Sequence, residues 1–246
     1  PAAREAALKR MGIETDLLSQ PNNILAAEYC KAILSHNLQI TPRPILRQGD
    51  YHSTETDTEN PSATSVRQLM EQNADISSVV PECALSCMMD AALHTLASGE
   101  RAILARLRCM TEADFEALPY GSEGLWRKFM HAVKEHATIE QIIEATKSKR
   151  YTRTRIDRMV MCAFLGLTRQ DLTMDIPYCR ILAFNDTGRQ VLSKCKKDGF
   201  FVNIGQNTRH PWQDTEDRMD DLYGLFCPDG PEKPGRNRER RVYYHQ

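Results

Sequence analysis

Apolar residues recur through the middle of the chain at the 3.6-residue spacing of an α-helix and seldom alternate as a strand would require. Between Pro81 and Ala97 they fall at 84, 85, 88, 89, 92, 93 and 96, a one-sided pattern that predicts a helix with one buried face. Ile156, Met159, Val160, Ala163, Phe164 and Leu167 form a second stripe over 152–167. Further helices are predicted at 101–109, at 111–118 behind Thr111 as cap, at 123–136 and at 138–146. Upstream, residues 1–19 read as a short amphipathic helix and a loop. Ser19-Gln20-Pro21-Asn22-Asn23 reads as a helix start capped by asparagine, with Leu25, Tyr29, Ala32 and Ile33 at helical spacing behind it. Leu38 to Arg47 contains Pro42 and Pro44, which exclude helix and favour an extended, edge-like segment. Gly49 to Asn60 is polar and aperiodic, a surface loop, and Pro61 to Arg67 opens a helix containing Leu69 and Met70. Beyond 167 the pattern weakens. Residues 178–184 and 200–204 read as short strands, Asp186-Thr187-Gly188 as a turn, and 189–197 as a helix.

Composition narrows the class. The chain has 246 residues, room for one large or two small domains, and its 41% hydrophobic and 26% charged content is that of a soluble globular protein. The longest apolar run, Met159 to Leu167, is far short of the roughly 20 residues that span a bilayer. No basic, apolar, small-residue leader opens the chain, so a cytoplasmic protein with no membrane partner is expected. The 8 cysteines include no Cys-x-x-Cys pair and the 7 histidines do not cluster with them, so reduced thiols and no metal site are expected.

Charge is asymmetric. Residues 1–146 carry 13 Lys/Arg against 20 Asp/Glu, whereas residues 147–246 carry 19 against 13. A basic half suits a polyanionic partner. Its densest part is Lys147-Ser148-Lys149-Arg150-Tyr151-Thr152-Arg153-Thr154-Arg155-Ile156-Asp157-Arg158, at the start of an amphipathic helix. Cations there oppose the helix dipole, a cost that a phosphate-rich partner would reverse, and Tyr151 offers a ring for a base to stack on. The competing reading is a solvated helix end whose arginines pair with the acidic half.

Two further places carry possible chemistry. Asn22 and Arg47 stand at a helix start and at the end of an extended segment, two ends that converge at the nucleotide rim of an α/β unit; on spacing alone a plain cap and a solvated arginine explain them better. Ser62-Ala63-Thr64-Ser65-Val66-Arg67 combines hydroxyls, a helix start and a cation in the first turn, either an anion pocket or an ordinary capping motif. There is no Ser/His/Asp array, no Walker-type glycine loop, and His94 and His131 read as ordinary helix residues.

Taken together, Pro21-Asn22-Asn23-Ile24-Leu25, Arg47-x-Gly49-x-Tyr51-His52, Ser62 to Arg67, Glu123-Gly124-Leu125 and Lys149 to Arg155 resemble, in this order, the bacterial tRNA(Met) cytidine acetate ligases, which are nucleotidyltransferase-like. The resemblance weakens after about residue 225. It implies an ATP-dependent ligase that converts acetate to acetyl-adenylate and acetylates N4 of the wobble cytidine of elongator tRNA(Met), with ATP, accompanied by Mg2+, and acetate as co-substrates. It assigns Asn22, Arg47, Ser62, Thr64 and Arg67 to ATP. The charge of the basic stretch points Lys147, Lys149, Arg150, Tyr151, Arg153, Arg155 and Arg158 towards tRNA.

The family's His-x-Gly-His motif is missing from the 246 residues, so the catalytic residues are unknown. With Pro1 in place of a methionine, the expectation is the carboxy-terminal part of a longer enzyme, inactive alone. The expected fold is an α/β remnant, the last part of a Rossmann-like nucleotidyltransferase domain over 1–71, then a mainly α-helical tRNA-binding domain over 72–229 and a flexible tail over 230–246. The rivals are a non-catalytic RNA-binding module and a small-molecule adenylyltransferase.

Overall fold

The computed structural model describes residues 2–13, 15, 18, 20–46, 57–89, 91–175, 178–194, 200–201 and 211–245. The chain divides into two units, Pro1–Ser86 and Cys87–Gln246. The first contains α1 (Ala2–Arg10), α2 (Pro21–Ser35) and α3 (Ala63–Glu71). Pro21 occupies the first turn of α2, where its fixed φ and missing N–H suit a helix start. The cap position therefore falls on Gln20, whose side chain makes no capping bond, and Asn22 lies inside the helix rather than capping it. Residues 38–46 are exposed and in no regular element, as Pro42 and Pro44 remove ladder donors.

No strand occurs among the described residues of Pro1–Ser86, which leave out 47–56 of the segment expected to be an α/β remnant. All the described strands lie in the second unit: β1 (Cys179–Arg180), β2 (Ala183–Phe184), β3 (Phe200–Phe201) and β4 (Tyr243–Tyr244). β1 pairs in parallel with β3, Cys179 opposite Phe200, and β2 pairs in parallel with β4, Ala183 opposite Tyr243.

Helices dominate the second unit. α4 (Glu82–Met89) runs across the division between the units and is half the predicted length. Thr95 and Ser98 account for part of that difference. The Ser98 Oγ accepts the Thr95 N–H at 3.0 Å and donates to the Thr95 carbonyl at 2.9 Å, turning the backbone before the next helix. There follow α5 (Glu100–Arg108), α6 (Glu112–Ala117), α7 (Leu125–Glu135), α8 (Ile139–Thr146) and α9 (Arg153–Leu165). Thr111 and Thr138 open α6 and α8 with reciprocal capping boxes to Asp114 and Gln141. The apolar stripes of α5 to α9 meet in one core, where Ile103, Leu107, Leu125, Phe129, Ile142, Ile156 and Met159 are fully buried. Phe226, from a 3-10 turn at Gly224–Phe226, completes it against Phe164 with ring centroids 5.1 Å apart.

The carboxy-terminal third departs most from the sequence pattern. α10 (Asp186–Lys194) begins where a turn was expected, because the Asn185 Oδ1 accepts the Gly188 N–H at 2.9 Å and caps the helix. α11 (Pro211–Tyr223) is not foreshadowed by any apolar stripe, and its buried positions include polar Gln213 and Asp217. Asp217 accepts from Asn237 Nδ2 at 2.8 Å and from Arg238 Nε at 2.6 Å, and Asp221 accepts the Gly235 N–H at 2.6 Å. Those bonds hold 230–245, with α12 (Arg236–Glu239) and β4 in it, against α11, where the sequence pattern suggested a tail. No described helix is long and apolar enough to cross a membrane.

Candidate nucleic-acid interface

The basic stretch lies between α8 and α9. Its backbone first makes a tight turn in which Ser148 and Tyr151 exchange N–H···O=C bonds at 3.1 Å each way. Thr152 then sits at the α9 N-cap without a side-chain capping bond, and no carboxylate occupies the first turn. Six cations crowded there would oppose the helix dipole, yet most find partners within the unit.

Arg153 lays its guanidinium across α8, bonding Glu140 through two parallel contacts of 2.5 and 2.6 Å and reaching Glu144 at 3.5 Å. Glu140 and Glu144 are one turn apart on α8, so both face α9. The Arg153 guanidinium holds the Glu140 carboxyl below its usual range, and Glu140 raises Arg153 in return. Lys147 bonds Glu144 at 3.0 Å. Asp157, one turn along α9, has Oδ1 buried without a hydrogen bond, 3.9 Å from Arg153 Nε; burial pushes its carboxyl up despite that neighbour.

Arg155 and Tyr151 serve a different purpose. Residues 119–124 link α6 to α7 through a loop in which Tyr120, Glu123 and Gly124 all adopt left-handed φ of 64°, 64° and 84°. Two of these are not glycine, and each such residue costs on the order of 1 kcal/mol or more. Arg155 Nε donates to the Tyr120 carbonyl at 2.8 Å and its Nη2 to Ser122 Oγ at 2.9 Å. The Tyr151 hydroxyl donates to the Glu123 carbonyl at 2.8 Å, and Arg150 bonds the Glu123 carboxylate at 3.1 Å. Glu123 raises the Arg150 guanidinium above its ordinary value. The sequence segments Glu123-Gly124-Leu125 and Lys149 to Arg155, far apart in the chain, thus form one structural unit. Trp126, after the loop, is buried.

The stretch therefore divides. Arg153 and Arg155 hold α8 and the 119–124 loop. Lys149 is exposed and pairs with no carboxylate among the described residues, Arg158 is exposed with its guanidinium carbon 5.8 Å from the Tyr120 ring centre, and Arg150 keeps 64% of its side chain in solvent. Lys128, which the sequence pattern did not single out, joins them by donating to the Lys147 carbonyl at 3.0 Å. Glu140 and Glu144 were not singled out by the sequence pattern either; their helical spacing was the one visible signal.

In the first unit, Ser62 caps α3, its Oγ accepting the Ser65 N–H at 2.9 Å while Ser65 Oγ donates to the Ser62 carbonyl at 2.9 Å. Both serines are buried, so these hydroxyls build the helix start. Thr64 is half-buried and Arg67 exposed on the same first turns. Asn22 is exposed in the first turn of α2. Arg47, with Gly49, Tyr51 and His52, lies outside the described residues. Among the described residues of Pro1–Ser86 no three metal-ligating side chains converge.

Comparison with known proteins gives this geometry a family. A tRNA(Met) cytidine acetate ligase from Acetivibrio thermocellus is 32% identical over 218 residues, covering 80% of this chain and 52% of that protein. One from Clostridium kluyveri is 33% identical over 196 residues, covering 75% and 48%. The chain thus spans about half the length of the curated relatives it matches. Among solved structures, apo TmcAL of Thermotoga maritima superposes with a TM-score of 0.84 at 22% identity, over 99% of this chain and 65% of that one. The same protein bound with alpha-thio ATP gives 0.79 over 97% and 64%. The family model for HIGH Nucleotidyl Transferase matches residues 1–235. On that match, which takes in nearly the whole sequence, the chain belongs to the HIGH nucleotidyl transferase family.

Proposed function

We propose that the protein acts in ATP-dependent acetylation of N4 of the wobble cytidine of elongator tRNA(Met). The observation that carries this reading is the 32–33% identity to ligases of that name over three quarters or more of the chain. In the activation step a carboxylate oxygen of acetate attacks the α-phosphorus of ATP, the bond to pyrophosphate breaks, and acetyl-adenylate forms. In the transfer step N4 attacks the acetyl carbon, AMP leaves, and N4 loses a proton. Charge neutralisation at the phosphorus and positioning supply most of the rate in such chemistry.

Within this reading the start of α3 is an ATP phosphate site. Ser62 shapes the helix end, and the first N–H groups of α3, the Thr64 hydroxyl and the Arg67 guanidinium would meet phosphate oxygens. Asn22 and Arg47 would complete ATP binding. Mg2+ would arrive on the ATP phosphates, since the described residues of the first unit offer it no converging ligands, and no step is assigned to it. On the second unit Lys149, Arg150, Arg158 and Lys147 would track tRNA phosphates, with Arg153, Arg155 and Tyr151 holding the surface that presents them.

Two assays test the proposal. Acetate-dependent exchange of pyrophosphate into ATP, followed by acetylcytidine formation on elongator tRNA(Met), should fall in Thr64→Ala and Arg67→Ala variants. Binding of the same tRNA across salt should weaken in a Lys149→Ala/Arg158→Ala variant, with the log–log slope shallower by about 0.7–0.9 per lost phosphate contact. The internal pairing of Arg150, Arg153 and Arg155 favours one second reading, that the stretch is only a clamp. Unchanged tRNA affinity and slope in the double variant would establish that reading and remove the tRNA face assigned here.

A further inference from the structure

We infer that His94, Cys227 and Glu232 form a binding site for a divalent transition metal, with Zn2+ the best match. All three belong to the second unit, and one donor atom from each lies within 4.8 Å of the other two. The His94 Nε2 is 3.9 Å from Glu232 Oε2. Tetrahedral Zn2+, with bonds of about 2.0–2.3 Å to N, O and S, separates its ligand atoms by roughly 3.3–3.6 Å. Closure by about 0.6 Å between these two atoms, and by up to about 1.3 Å towards the Cys227 Sγ, brings the three donors to that spacing.

The arrangement around the three side chains is that of a held ligand set. The His94 Nδ1 is 2.9 Å from the Ala92 carbonyl, which can only accept, so Nδ1 carries a proton and Nε2 is the ring nitrogen that faces the cluster. That Nε2 is buried and has no hydrogen-bond partner. The imidazole plane is fixed by stacking on Tyr223, ring centroids 4.7 Å apart and 17° between planes. Arg236 pairs with Glu232 Oε1, so the other oxygen remains for His94's side. Gly224 lets Glu232 approach, for a Cβ there would lie 3.2 Å from Glu232 Cβ and 3.5 Å from Oε2. The Glu232 N–H donates to the Gly224 carbonyl at 3.0 Å and the Gly230 N–H to the Cys227 carbonyl at 3.3 Å, which bends the chain so that Cys227 and Glu232 face the same point.

A thiolate, an imidazole and a carboxylate suit Zn2+ or Co2+ and disfavour Mg2+ and Ca2+, which prefer oxygen alone. On binding, the Cys227 thiol loses its proton to solvent as the Zn–S bond forms, leaving the fourth position to water. The ion would tie the irregular segment 91–95 to the residues that follow α11. The sequence gives no warning of such a site, because its ligands come from distant segments without the close pairs that mark zinc motifs.

The test uses the 246-residue chain, stripped with chelator and titrated with Zn2+ and with Co2+. One metal per chain is expected, with one proton released from Cys227, a raised Tm, and a thiolate-to-cobalt charge-transfer band beside tetrahedral d–d bands. His94→Ala, Cys227→Ser and Glu232→Gln should each weaken binding by at least about 100-fold. Cys109→Ser, at an exposed thiol elsewhere, should leave it unchanged. Cys227→His retains a ligand, so it should keep Zn2+ and lose the charge-transfer band; circular dichroism of each variant separates lost ligands from lost fold. Absence of stoichiometric uptake by the parent chain, or uptake undiminished in folded His94→Ala and Cys227→Ser variants, overturns the assignment.

Discussion

Arg155, in the first turn of α9, donates through Nε to the carbonyl of Tyr120, a left-handed residue 2.8 Å away in the loop before α7. A cation at an unfavourable end of a helix thereby stabilises a strained turn, and its fork also reaches Ser122. Arg155→Lys keeps the charge but cannot span both acceptors. Arg155→Ala should cost about 1–3 kcal/mol in denaturant unfolding, and Arg155→Lys should recover only part of it. Amide exchange should speed up over 119–124 in both variants. Equal stability of the two variants and the parent would remove the loop-holding role.

Phe226 fills the space above Gly99, where any Cβ would overlap its ring. Gly99→Ala is therefore an overpacking change despite the helical φ of −87°. It should destabilise by about 1–3 kcal/mol, whereas the same exchange in an exposed helix position would stabilise. A thermal melt of Gly99→Ala beside Gly99→Ala/Phe226→Leu checks this, with the smaller side chain restoring part of the loss.

Acid should destabilise the protein through three hydrogen-bonded carboxylates. Asp114 and Asp171 accept backbone and hydroxyl bonds from Thr111 and Thr168, and Glu140 accepts from Arg153; all three are held below their ordinary values in the folded state. Their contribution is present above the unfolded carboxylate range near pH ~4 and is lost as pH falls through the depressed folded values. Asp157 has the opposite sign: burial raises it, so its contribution is present at acid pH and lost as pH rises through the raised value. Asp157→Asn should raise Tm at neutral pH, with the gain vanishing on acidification. Thr111→Ala should cost about 1 kcal/mol at neutral pH. Melts between neutral and acid pH measure all of these together.

Neutralising the acidic partners of Arg153 should release it. In Glu140→Gln/Glu144→Gln the Arg153 guanidinium loses both carboxylates of α8. If the surface binds RNA phosphates, affinity rises and the salt slope steepens by up to about 0.9, one added contact. No change in slope would mean that Arg153 faces α8 whether or not it is paired.

The helical core was open to inspection because its signal is local. Ile103, Leu107, Ile142, Ile156 and Met159 recur at the helical period, and Thr111 and Thr138 announce their helices through caps whose partners lie three residues away. Where burial is polar the signal fails: α11 buries Gln213 and Asp217, satisfied by Asn237 and Arg238 from a segment that reads as a loose tail. The same limit applies to the charged stretch. Six cations at the head of α9 are plain from residue order, and so is their conflict with the helix dipole. Which of them are spent on Glu140, Tyr120 and Ser122, and which remain in solvent, depends on groups brought together from separate helices. The sequence by itself determined the helices and the charge. Tertiary structure alone decided the partners, because hydrogen bonds and ion pairs act over a few ångströms in space and leave no period along the chain.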